Sequence, residues 1–243
     1  MIGGVRRYLR PVILAVLLAG VTIPAIWGPV AGVLFSAENE QVYQRTPMSV
    51  LLVQHIALAG SATIGATVTA VLIGVLVTRP AGRSLVPLVR DLAALAQTIP
   101  PVAVLVLAVP LFGFGTAPTV LALFLFSLLP ILGNTVTGID QIDPALLEAS
   151  TAMGMRPWRR LLETEIPLAA PVIVAGIRTA AVISVGTATI GATIGAGGLG
   201  VVIIAGLVRD NLAFVTAGAV AAAALALFID WFFGLIPIRT VSR

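Results

Sequence analysis

The sequence predicts an all-α, polytopic membrane protein, and three observations carry that prediction. Of its 243 residues 59% are hydrophobic and only 10% are charged, where a soluble domain carries about 25% charge. The mean hydropathy is +1.11, and the apolar residues gather into six runs, each near the roughly 20 residues that a helix needs to cross a bilayer. The arginines gather between alternate runs, which gives the chain a sidedness.

The first run, 11–35, follows Arg6, Arg7 and Arg10 and so imitates a secretory signal. It is longer than a signal's apolar region and further runs succeed it, so it is expected to stay as the first span. The second run is 51–78, on which Ser61, Gly65 and Thr69 recur every four positions, a spacing that lets helices approach closely in lipid. The third and fourth, 92–112 and 117–138, are separated by the short turn around Gly113 and interrupted by Pro100, Pro101, Pro110 and Pro130. These prolines mark either ordinary kinks or helices packed in protein along a wet path. The fifth and sixth runs are 167–189 and 212–236. With both termini in the cytoplasm, Arg6, Arg7, Arg10, Arg79, Arg83, Arg90, Arg156, Arg159, Arg160, Arg239 and Arg243 fall inside. Only Arg45 and Arg209 fall outside, and Arg178 lies within a span. That asymmetry sets the orientation. The whole chain, 1–243, is expected to be a single transmembrane unit with one large cytoplasmic loop at about 140–166.

Composition removes several functions. The chain has no Lys, so it cannot hold a Walker A phosphate loop. It has no Cys and a single His, His55, which excludes thiolate and His-rich metal sites; no metal or other cofactor is expected. A hydrolytic triad would have to be built on His55. The net charge of +4 records which loops face the cytoplasm rather than nucleic-acid binding.

The large loop holds the sequence's densest charge. Between Glu148 and Pro167 lie Glu148, Arg156, Arg159, Arg160, Glu163 and Glu165, six of the chain's 24 charged residues. Asp143-Pro144 is a helix start, with Asp as cap and Pro in the first turn. Leu146, Ala149, Ser150 and Met153 then share a face, and Gly154 can end the helix in a left-handed conformation. Pro157 opens a second short helix with Trp158, Leu161, Leu162 and Glu165 on one face, and Pro167 marks where the next span begins. Such a hairpin either lies on the membrane surface or docks in a groove on a cytoplasmic partner.

Glu148-Ala149-Ser150, Gly154 and Ile166-Pro167 resemble the EAA loop of ABC-importer permeases, in which EAA is followed by three residues, Gly, nine residues, Ile, any residue and Leu-Pro. Here Ser150 replaces the second Ala, Ile166 the Leu, and Thr164 puts a hydroxyl where the family carries an aliphatic side chain. The resemblance implies an ABC type I importer permease fold in which this loop, with Glu148, Ala149, Ser150, Gly154, Pro157, Trp158 and Pro167, couples to a separate ATP-binding subunit. The permease itself is then no enzyme. The family also implies a second permease subunit, identical or paralogous, an extracytoplasmic substrate-binding protein, and residence in the bacterial inner membrane. The stretch from Ala96 to Ile139, with Gln97-Thr98-Ile99-Pro100 and Leu129-Pro130-Ile131-Leu132, is similar to osmoprotectant permeases, which serve glycine betaine, carnitine and choline; so is Ala175 to Gly200. Methionine permeases share the EAA loop and a Gly-rich segment, so methionine or another small solute is the runner-up. A secondary carrier is a weaker rival, because the chain shows no inverted repeat and Asp230 is the sole clear acid within a span.

Three further features are candidate sites. Gly195, Gly197 and Gly200 fit the dinucleotide pattern GxGxxG, but the segment lies between two spans without the βαβ context that the pattern requires. Gly195, Gly197, Gly198 and Gly200 are instead a close-packed turn or part of an outer gate. Arg178 and Asp230 lie within spans at depths about 6 Å apart, at about 1.5 Å per residue, and are expected to pair. His55, near the outer start of the second span, is expected to be a helix-end polar residue rather than a proton relay. The spans offer no aromatic cage for a quaternary amine, so tight recognition is assigned to the binding protein.

Overall fold

The computed structural model describes residues 2–96 and 98–236. Gln97, Arg239 and Arg243 lie outside the described residues, as do the side chains of Arg6, Arg7, Tyr8 and Arg10. The regular elements of the described residues are all helical: α1 (Ile2–Thr22), α2 (Pro24–Leu34), α3 (Met48–Val77), α4 (Val86–Ala96), α5 (Pro101–Phe112), α6 (Thr116–Asp140), α7 (Pro144–Ala152), α8 (Pro157–Arg160), α9 (Ile166–Gly191), α10 (Gly200–Arg209) and α11 (Leu212–Phe233).

Among the described residues four helical stretches are long and apolar enough to cross a membrane: Met48–Val77, Thr116–Asp140, Pro157–Ile194 and Leu212–Phe233. The first apolar run adds a fifth if its two halves count together, for Pro11–Thr22 and Pro24–Leu34 meet at 82°. The expected count of six therefore becomes four or five, and proline accounts for both changes. Ile23, before Pro24, is held extended at φ −95° and ψ 111°, because the proline ring disfavours helix in the residue it follows. The run 92–112 breaks at Pro100, whose extended backbone precedes a new helix opened by Pro101; α4 and α5 are each too short to span. The segment after the glycines forms α10, a helix not anticipated there.

The centre of the bundle is α3, α6 and α9, brought close by small residues. Ala62, Ala66 and Ala70 of α3 are all at most 1% exposed, and Gly74 continues the row with its Cα against Thr135 of α6, where a Cβ would come within 2.6 Å. The buried row thus lies one position on from the stripe expected at Ser61, Gly65 and Thr69: Ser61 is exposed, and Gly65 meets Phe124 of α6 at ordinary contact distance. Gly176 of α9 meets Asn134 of α6 with a Cβ clearance of 2.7 Å. Close backbone approach maximises van der Waals contact, the main attraction between helices in lipid. A second cluster joins α1, α2, α3 and α11 around Trp27, Leu51 and the fully buried Phe214. The polar loop after α2 folds over this cluster. Trp27 donates to the Gln41 carbonyl at 3.1 Å, and the Leu212 N–H donates to Glu38 at 3.0 Å.

Candidate functional site: a protruding loop, a glycine clasp and an ion pair

The loop after α6 begins as its residues dictate. Asp143 caps α7 by accepting from the Ala145 N–H at 2.9 Å. The helix ends in a Schellman motif, in which the Met155 N–H reaches the Ser150 carbonyl at 3.2 Å and the Gly154 N–H reaches Thr151 at 2.9 Å. Gly154 takes φ +77°, with open space where a Cβ would project. Glycine is required here by backbone conformation and not by crowding.

The expected second hairpin helix is instead the base of the next span. Helix runs on from Pro157 to Ile194, so Pro167 lies inside it rather than at its start. Pro167 has no N–H to return to the preceding turn, and the ladder re-registers just before it in a single π turn, Leu161–Glu165, where the Ile166 N–H reaches back to Leu161. Neither of the expected shared faces is buried as a unit. Of Leu146, Ala149, Ser150 and Met153 only Ser150 is buried; of the second set Glu165 is buried while Trp158 and Leu162 are 62% and 59% exposed. Most of the loop's surface is uncovered.

What fixes the loop to the bundle is Glu165. Its carboxylate, 3% exposed, accepts from Arg79 at the end of α3 on one oxygen and from Arg160 at 3.0 Å on the other. Two guanidiniums offset the cost of burying one carboxylate. Arg160 also donates to the Thr151 hydroxyl at 2.9 Å, which ties α7 to the same cluster. Thr164, the hydroxyl that departs from the EAA pattern, donates to the Met155 sulfur at 3.8 Å. Beside Glu148 the loop leaves an open concavity of about 460 Å³, lined by Leu147, Glu148, Thr151, Ala152 and Arg160. Arg79 and Glu165 are 86 residues apart, so no local pattern announces their contact.

At the opposite end of α9 the glycine segment closes on α3. Gly195, Gly197 and Gly198 have φ of +82°, +84° and +77°, a run that side-chain-bearing residues rarely adopt. The Gly198 N–H donates to the Gln54 side-chain oxygen at 3.1 Å. The Leu199 N–H donates to His55 Nδ1 at 3.3 Å, while His55 Nε2 lies 2.9 Å from the Val185 carbonyl. These partners assign the proton to Nε2. His55 is wholly buried and binds α3, α9 and the glycine segment together, not the helix-end position expected for it. A Cβ on Gly198 would come within 2.9 Å of His55, one on Gly197 within 2.6 Å of Gln54, and one on Gly200 within 2.0 Å of the Thr189 carbonyl. Between the two ends, Arg178 of α9 and Asp230 of α11 form a bidentate pair, Nε to Oδ1 and Nη2 to Oδ2.

Comparison with known proteins gives the family. Residues 70–241 match the family model described as binding-protein-dependent transport system inner membrane component. The carnitine transport permease protein OpuCD of Listeria monocytogenes is 44% identical over 190 residues, covering 78% of this chain and 84% of that protein. The osmoprotectant import permease protein OsmW of Salmonella typhimurium is 42% identical over 186 residues, 74% of this chain and 86% of that protein. The choline transport system permease protein OpuBB of Bacillus subtilis is 42% identical over 168 residues, 67% and 77% respectively. An inward-facing structure of the MetNI methionine ABC transporter matches with a TM-score of 0.69 at 25% identity, over 82% of this chain and all of that one. The chain belongs to the family of binding-protein-dependent transport system inner membrane components.

Proposed function

We propose that this chain is the permease subunit of an ATP-driven importer for quaternary-amine osmoprotectants such as glycine betaine, carnitine and choline. The observation that carries the substrate class is the likeness, over two thirds or more of the chain, to permeases named for carnitine, choline and osmoprotectant transport. Two permeases, identical or paralogous, work with two ATP-binding subunits and an extracytoplasmic binding protein, and both termini are cytoplasmic. The loop at about 140–166 is the docking element. Its exposed Glu148, Ala149 and Trp158 meet the ATPase, while Gly154 sets the angle at which α7 is presented. Glu165, through Arg79 and Arg160, transmits the displacement of that loop directly to α3 and α9. The segment Gly195–Gly200 is the outer closure, and Arg178 with Asp230 fixes α9 to α11.

The test is reconstitution of the chain in vesicles with its ATPase and binding protein, followed by ATP-dependent uptake of glycine betaine, carnitine, choline and methionine. Uptake of the quaternary amines, lost when Glu148 is replaced, is the expected result. Uptake of methionine alone would replace the substrate class and keep the importer. Uptake without ATP would replace the importer by a secondary carrier.

A further inference from the structure

The uncovered side of α3 changes character along its length. Val68, Leu72 and Leu76 are 57%, 60% and 65% exposed, large aliphatic side chains of the kind that face lipid. Nearer the glycine clasp, the same stripe carries Gln54, Ala57 and Ser61 at helical spacing, between the exposed Val50 and Ile64. An amide facing hydrocarbon is costly, so the Gln54 side of this stripe is better placed against water or a solute than against lipid tails. A groove of about 320 Å³ lies here, lined by Gln54, Ala57 and Ser61 of α3, Thr116 and Val120 of α6, and Ala196 of the glycine segment. Its volume is that of a small-ligand site, about 300–1,000 Å³.

We infer that this groove is a transient seat for the transported solute, taking a carboxylate on Gln54 and Thr116 and a methylated ammonium on its apolar wall. The inference rests on the function proposed above and adds a site to it. Gln54 already gives its oxygen to the Gly198 N–H, so its amide nitrogen is the donor left for a ligand. Ser61 donates to the Leu58 carbonyl at 3.2 Å and keeps accepting capacity. Thr116, the first residue of α6, makes no side-chain hydrogen bond to the described residues. Ala57, Val120 and Ala196 present methyl-sized apolar contacts that suit N-methyl groups. With no aromatic face in the groove, binding is weak, as suits a seat from which the solute must leave. Because Gln54 also holds the glycine clasp, occupancy of the groove bears directly on that closure.

The experiment is saturation-transfer NMR of glycine betaine and of choline on the permease–ATPase complex without binding protein, in nanodiscs free of phosphatidylcholine. Both N-methyl signals are expected to report binding. Thr116→Val removes a hydrogen bond to a charged carboxylate and should weaken glycine betaine about tenfold, with a smaller effect on choline. Thr116→Ser should restore it. Equal losses for both solutes, or none, would overturn the site. So would loss of the signal only when phosphatidylcholine is added, which would make a lipid headgroup the occupant. Failure of ATP-driven uptake of every quaternary amine would instead remove the proposed function, whatever the groove binds.

Discussion

At the loop end of the bundle α3 and α9 are tied by charge, and at the glycine end the same two helices are tied by neutral hydrogen bonds. Glu165 joins Arg79 and Arg160, side chains 28% and 29% exposed. His55 and Gln54 grip backbone groups of α9 and the glycine segment with no ionised partner. The difference follows from the surroundings. Long Arg side chains can keep part of their charge in water at a membrane boundary, whereas a charge beneath the glycine segment would have to be desolvated. A charged tie that reaches water can be strained and reformed, whereas the neutral tie through the wholly buried His55 breaks only with the packing around it. The glycine end should therefore govern whether the protein folds, and the loop end how motion passes through it.

The largest effect expected is that of Gly200→Val. Its Cβ would overlap the Thr189 carbonyl at 2.0 Å, contact with backbone that no side-chain rotation relieves. The protein should fail to accumulate in membranes, a loss beyond about 4 kcal/mol, read by thermal unfolding or by yield. His55→Leu comes next. It leaves the buried Leu199 N–H without an acceptor and removes the contact to Val185, at a cost of about 3 kcal/mol. A variant as stable as the parent would show that the glycine end is held by packing alone.

At the loop end Glu165→Ala should cost less stability, about 2 kcal/mol, because Arg79 and Arg160 can turn to water. Its signature should be functional: ATP hydrolysis by the assembled complex persists while uptake per ATP falls severalfold. Unchanged uptake per ATP would refute the role of Glu165 as a link. Gly154→Val is smaller again, about 1–2 kcal/mol of backbone strain, and should suppress transport while insertion stays intact. Gly154→Asn should restore most uptake, since φ +77° with open space around it is a conformation that Asn tolerates. If Asn and Val behaved alike, crowding by the docked ATPase and not the backbone angle would set the requirement.

Much of the bundle was legible because its signals are local. Helices α3, α6, α9 and α11 follow from apolar runs, and α7 from Asp143-Pro144 at its start and Gly154 at its end. The breaks at Ile23 and Pro100 were present as Pro24 and Pro101, but hydropathy windows read through them. The row Ala62, Ala66 and Ala70 has the same period as the neighbouring row Ser61, Gly65 and Thr69, and spacing does not say which of the two is buried. What the sequence could not disclose is non-local: Arg79 meeting Glu165, Gln54 meeting Gly198, and a lone histidine whose two nitrogens are satisfied by residues 130 and 144 positions away. No spacing rule connects such residues, and only the close approach of α3 to α9 brings them together.

The pair between the two ends tests the comparison at its finest grain. Arg178 and Asp230 are charged like the loop end, yet they lie on apolar helices, 42% and 41% exposed on the single subunit. If that exposure is to water, Arg178→Ala and Asp230→Ala should each cost little, and a double-mutant cycle should give a coupling of about 1 kcal/mol or less. If a second permease covers the pair, either single change strands a desolvated charge, and the double variant should be more stable than Arg178→Ala or Asp230→Ala alone. The covered outcome is expected in the assembled transporter, because a half-exposed ion pair on a spanning helix is costly to leave against lipid. Arg178→Lys sharpens the reading, since an ammonium cannot reproduce the two parallel hydrogen bonds to Asp230; it should retain assembly but lose part of the coupling. Failure of Asp230→Ala to rescue any property lost in Arg178→Ala would mean that the two charges act separately and that α9 and α11 are held by packing alone.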